Sequence, residues 1–135
     1  LRNGLRPVLC IGEEERVDPA AASERTIAQL ADALDGAPAG PLIVAYEPVW
    51  AIGAPEPAPV EHIRTVARAL REAVADRPGT FVIYGGSAGP GLLTELGDAV
   101  DGLFLGRFAH DPVSLETVLD EAAVLAIARA EGLDV

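Results

Sequence analysis

Among the 135 residues, Glu47 is the side chain whose type and place best suit acid–base chemistry. It directly follows an apolar run at residues 42–46, and Pro48 fixes the backbone behind it. A carboxylate at the rim of an apolar site has its proton affinity raised and can act as a general base. The same position also suits a glutamate that caps the strand end or pairs with an arginine, and position alone leaves both open. Two glycine-bearing segments lie downstream, Tyr84-Gly85-Gly86-Ser87 and Leu105-Gly106-Arg107-Phe108. Without a Cβ, such residues let the backbone approach a ligand closely, and successive N–H groups can cradle an anion. Each glycine alone reads more readily as a plain turn. The other reactive side chains read as structural. Cys10 is expected as a small buried filler, His62 as a solvated residue beside Glu61, and His110 as a surface residue before Asp111. The run Glu13-Glu14-Glu15-Arg16 reads as a solvated turn in which Glu13 and Arg16 can pair. No spacing of His, Cys and carboxylates matches a metal site, and no cofactor is implied.

These residues need elements to hold them. Four short apolar runs, at 7–11, 42–46, 81–84 and 103–105, are rich in Val, Ile and Leu and lack polar alternation. Strands buried on both faces of a parallel sheet read this way. Each run leads through a turn into a helical pattern. The first helix follows Asp18-Pro19, with Ile27, Leu30, Ala31 and Leu34 as its predicted stripe and Gly36 at its end. The second starts near Pro59, places Ile63, Val66, Ala67, Leu70 and Val74 on one face, and stops at Pro78-Gly79. A short third helix carries Leu92, Leu93 and Leu96. The last follows Asp111-Pro112, with Leu115, Val118, Leu119, Ala122 and Leu125 as its stripe and Gly132 as its stop. The pattern is β-α four times over, as one unit spanning 1–135. It implies parallel strands with right-handed crossovers, either in a doubly wound sheet or in part of a (β/α)8 barrel.

Half of the residues are hydrophobic, which suffices for a core and argues against disorder. The net charge of −11 disfavours nucleic acid and anionic lipid as partners. A phosphate ligand would therefore have to be held by local N–H groups rather than by the overall field. The single cysteine excludes an intrachain disulfide and suits a reducing compartment. No apolar run reaches the ~20 residues of a membrane helix. The chain begins at Leu1 and contains no methionine, so it is expected to be part of a longer protein.

The string Ala45-Tyr46-Glu47-Pro48-Val49-Trp50-Ala51-Ile52-Gly53 resembles the signature of the triosephosphate isomerase family. Three further segments resemble it in order and spacing: residues 7–13, the turn at 84–87, and Asp101-Gly102-Leu103-Phe104-Leu105-Gly106. The resemblance covers nearly the whole chain. It implies half of a TIM barrel, with the four βα units matching strands 5 to 8. Glu47 would then be the catalytic base, and Pro48, Val49, Trp50, Ala51 and Ile52 would form the mobile lid. The N–H groups of Gly53, Ser87 and Gly106, with Arg107 nearby, would hold the substrate phosphate. The implied activity is aldose–ketose isomerisation through an enediolate, between dihydroxyacetone phosphate and glyceraldehyde 3-phosphate. The setting would be a cytoplasmic homodimer, with a small phosphorylated sugar as partner.

Three departures qualify that expectation. No residue here matches the family's catalytic lysine and histidine, which come from the first and fourth strands. The lid continues as Ala54-Pro55-Glu56-Pro57-Ala58 where the family has Thr-Gly-Lys-Thr-Ala. Pro55 has no N–H, so it cannot make the family's latch onto the serine that matches Ser87. Arg107 replaces a second glycine, adding bulk that clashes with a phosphate or a fork that clamps it. Two alternatives follow: an isomerase of a related sugar phosphate such as a tetrulose phosphate, or a non-catalytic homologue. A half barrel would also leave an inner sheet face uncovered, with some of Leu9, Ile43, Val82 and Phe104 expected to face it.

Overall fold

The computed structural model of the protein describes residues 1–133, so the last two residues of the predicted unit lie outside the described part. Four strands, β1 (Val8–Ile11), β2 (Ile43–Tyr46), β3 (Phe81–Tyr84) and β4 (Gly102–Leu103), alternate with four helices. The helices are α1 (Pro19–Leu34), α2 (Val60–Ala73), α3 (Leu92–Leu96) and α4 (Pro112–Ala130). The sheet order is β1-β2-β3-β4 and every pairing is parallel. The predicted fourth strand at 103–105 is shifted: Phe104 N–H still donates to the Tyr84 carbonyl at 2.7 Å, after which the chain turns away.

Register determines which side chains share a face. Val44, Tyr46, Val82 and Tyr84 are fully buried and form one core with Ile63, Val66, Ala67 and Leu70 of α2 and the leucines of α3. Each such side chain contributes about 1.5–3 kcal/mol by leaving water. The opposite face is open: Val8 and Phe81 are exposed, and Ile43 and Ile83 half-buried. Of the four residues expected at an uncovered face, Val82 and Leu9 instead pack toward the helices, because they carry the other parity of their strands. Ile43 lies on the open side, and Phe104, just past β4, is exposed. A strand order without reversal, joined to a single helical core on one face, is an α/β fold consistent with half of a (β/α)8 barrel. A doubly wound sheet would reverse its strand order and cover both faces.

The predicted stripes held best in α2, where all five residues are buried, although the helix ends at Ala73 rather than at Pro78. In α1 the buried set is Ala22, Ser23, Thr26 and Leu30, so the stripe is rotated; Ile27 and Ala31 are exposed. Thr26 can be buried because its hydroxyl donates within the helix, to the carbonyls of Ala22 and Ser23 at 3.0 Å. In α4 only Val118, Leu125 and Ala128 are buried; Leu119 and Ala122 are exposed, yet all five residues of the predicted stripe line one open groove with Leu103 and Leu105. The expected caps form: Asp18 accepts from the N–H groups of Ala20 and Ala21, and Gly36 adopts φ +64° after α1.

Candidate active site at the strand C-termini

The C-terminal ends of β2, β3 and β4 converge on one cleft of ≈ 360 Å³. Glu47 lines it together with Ile52, Gly53, Ser87, Gly106 and Arg107. The structure thus brings together every residue expected to touch substrate. Glu47 extends from β2, its N–H donating to the Ile11 carbonyl at 2.7 Å. It is half-buried, and loss of solvent pushes its carboxyl above the ordinary range. Its neighbours are shaped around it. A Cβ at Gly85 would fall 2.5 Å from Glu47 Cγ, and one at Gly12 would collide with the Glu47 carbonyl. Glycine is therefore a packing requirement at both positions, of the Glu47 side chain at Gly85 and of the Glu47 backbone at Gly12. Gln29 of α1 holds Gly12 by both its N–H and its carbonyl, at 2.9 and 3.0 Å.

The expected lid leaves the site through the buried Pro48 and a 3₁₀ turn at Val49–Ala51. Ala51 is buried, Trp50 half-buried, and Val49 and Ile52 are exposed. Gly53 takes φ +71°. The segment rejoins the body at Ala58, whose N–H donates to Tyr84 Oη at 2.9 Å. Ala54 offers its carbonyl to Ser87 Oγ at 2.6 Å and to Arg107 at 3.0 Å.

Three expectations are overturned here. Glu13 is not in a solvated turn with Arg16; it is 1% exposed. Its carboxylate accepts from Trp50 Nε1 at 2.8 Å, from Tyr46 Oη at 3.1 Å and from His62 Nε2 at 3.1 Å. Arg16 instead stacks on the Trp50 ring. His62 is buried rather than solvated, because it lies one helical repeat before Val66 on the apolar face of α2. Since a carboxylate only accepts, Nε2 is the protonated nitrogen of His62. Cys10 is exposed rather than buried, because it shares the open face with Val8. Its thiol is pushed up, first by partial burial and then by the Glu47 charge. His110 is exposed, as expected. The buried network was detectable in principle. Glu13 sits two residues past Ile11 on the helix-facing parity of β1, and His62 extends the spacing of Val66 and Leu70.

Among the described residues, no group of three or more His, Cys, Asp or Glu could hold a metal ion. No helix there is long and apolar enough to cross a membrane.

A carboxylate of raised proton affinity, at the strand C-termini of a parallel sheet consistent with half a barrel and ringed by glycine-bearing loops, is the arrangement of a βα-barrel protein with a candidate site at the usual ligand end. The triosephosphate isomerase family model matches residues 1–122, and the chain belongs to that family. It is 54% identical over 131 residues to the L-erythrulose-1-phosphate isomerase of Pectobacterium atrosepticum, covering 92% of this chain and 51% of that protein. It is 38% identical to the triosephosphate isomerase of Cutibacterium acnes, covering 78% of this chain and 46% of that protein. For the triosephosphate isomerase of Leifsonia xyli subsp. xyli the identity is 36%, with 88% and 50% covered. The chain spans about half the length of the curated relatives it matches.

Proposed function

We propose that the complete protein is an aldose–ketose isomerase acting on a four-carbon sugar phosphate, a tetrulose phosphate, rather than on triose phosphates. The observation that carries the substrate preference is the 54% identity to an L-erythrulose-1-phosphate isomerase, against 38% and 36% to the triosephosphate isomerases above. The altered lid segment and Arg107 support the same reading. In this reading β1 to β4 are strands 5 to 8 of a full barrel. Glu47 removes a proton from the carbon beside the substrate carbonyl and returns it to the neighbouring carbon, through an enediolate. Its raised proton affinity suits that exchange. Arg107 and the N–H groups of Gly53, Ser87 and Gly106, all on the same cleft, take the phosphate. The electrophile that polarises the carbonyl comes from outside this chain. The homodimer and the cytoplasmic setting rest on the family resemblance alone.

The test is a panel of triose and tetrose phosphates assayed on the full-length protein by relative kcat/KM. A tetrulose phosphate is expected to exceed dihydroxyacetone phosphate by about tenfold or more, the ratio that one added polar contact sets. A clear preference for triose phosphate would overturn the substrate assignment while leaving the proton-transfer role in place. Absence of any isomerase activity would favour the non-catalytic homologue.

A further inference from the structure

Ala54, Ser87 and Arg107 form a closed triangle of hydrogen bonds that joins three loops. Ser87 Oγ donates to the Ala54 carbonyl at 2.6 Å. Arg107 Nη2 donates to that same carbonyl at 3.0 Å and to Ser87 Oγ at 3.0 Å. One nitrogen therefore serves both partners, one through each of its hydrogens. Ala54 belongs to the segment that leaves the site, Ser87 to the loop after β3, and Arg107 to the loop after β4. The guanidinium is itself braced, lying over the Phe108 ring at 5.1 Å. Phe108 in turn packs against Gly89, where any Cβ would meet it at 2.6 Å.

The residue after Ala54 is Pro55, which has no N–H to offer Ser87. The serine has consequently reversed its role. It donates to a carbonyl, and its own lone pair is taken by Arg107. We propose that Arg107 is a positioning residue that clasps the lid shut, replacing a backbone latch which Pro55 makes impossible. Only Nη2 of the guanidinium is used in these bonds, and Arg107 lines the cleft together with Glu47 and Gly106. A substrate phosphate there would meet the charge that already holds the lid, so anion binding and closure are coupled through one side chain. This rests on reading residues 48–58 as a lid, but not on the identity of the substrate.

The experiment follows the exchange of the Ala58 amide, which donates to Tyr84 Oη where the segment rejoins the body. It uses the full-length protein, with and without inorganic phosphate, in wild type, Arg107→Gln, Pro55→Gly and the double variant. Arg107→Gln is expected to speed Ala58 exchange by about tenfold or more, as loss of charge-assisted bonds implies. It should also abolish the slowing that phosphate produces in the wild type. Pro55→Gly restores an N–H beside Ser87, so the double variant should recover protection without recovering the response to phosphate. In the isomerase assay Arg107→Gln should lower kcat as well as raise KM, and the double variant should regain kcat only. Unchanged Ala58 exchange in Arg107→Gln, or failure of Pro55→Gly to restore it, would overturn the clasp. An effect confined to KM, with exchange unaltered, would leave Arg107 a phosphate ligand alone. A wild type without isomerase activity would sink the proposed reaction, while the exchange results would still decide the clasp.

Discussion

Replacing Glu13 by alanine should destabilise the protein heavily and loosen the segment that follows Glu47. The carboxylate lies in the core, with Tyr46 0% and His62 5% exposed around it. Three donors converge on it: the Trp50 indole, the Tyr46 hydroxyl and the His62 ring. Each donor left buried without a partner costs about 1–3 kcal/mol. Tyr46 and His62 can partly satisfy each other, being 3.0 Å apart, so their losses do not simply add. The net cost is expected at about 3–5 kcal/mol, the range found when one member of a buried charged contact is removed. A domain's whole stability is about 5–15 kcal/mol, so the effect is large. The backbone bond from Val49 N–H to the Glu13 carbonyl survives the substitution, and the segment after Glu47 should therefore stay attached while the indole comes free. Denaturant unfolding measures the first effect. Trp50 is the chain's sole tryptophan, and a red shift of its emission reports the second. Glu13→Gln keeps the volume and one acceptor, and should fall between the two. A Glu13→Ala variant within about 1 kcal/mol of wild type, with Trp50 emission unchanged, would refute the view that this carboxylate organises the cluster.

Glu47→Gln in the full-length protein should cut turnover by about 10²-fold or more with ligand binding largely kept, as measured by kcat and by phosphate-ligand affinity. Because burial raises the folded-state affinity of Glu47 for its proton, the folded chain holds that proton to higher pH than the unfolded chain does. The ionised form therefore lowers stability above the folded value, and the cost disappears as pH falls below the unfolded value. The same substitution should then raise Tm at pH 7 and flatten its dependence on pH across the carboxylate range, which thermal scans will check. Gly85→Ala should drive a methyl into Glu47 and lower kcat while the fold persists, a combination visible by assay and circular dichroism. The isolated 135-residue chain should self-associate and lack isomerase activity, because Val8, Phe81 and Phe104 are exposed and the family's other catalytic residues lie elsewhere. A stable monomer in sedimentation would contradict the first part.

Local chemistry made much of this protein legible in its sequence. The four βα units follow from unbroken apolar runs between caps and glycine stops, signals that act within a few residues. Glu47 and its flanking string could be read the same way, as could α2, whose apolar spacing meets one continuous surface. What depends on two or more elements meeting was not legible. The rotated stripe of α1 depends on how that helix is turned against the sheet. Burial of Glu13 and His62 required β1, β2 and α2 to bring four polar side chains together, each tolerable in the core only because the others are there. The exposed Cys10 depends on the sheet's second face being open, which strand order decides. The direction of Arg107 depends on a carbonyl 53 residues away in the chain. Periodicity and capping are properties of neighbours along the chain, whereas burial and hydrogen-bond partnership are properties of neighbours in space, and only folding specifies those.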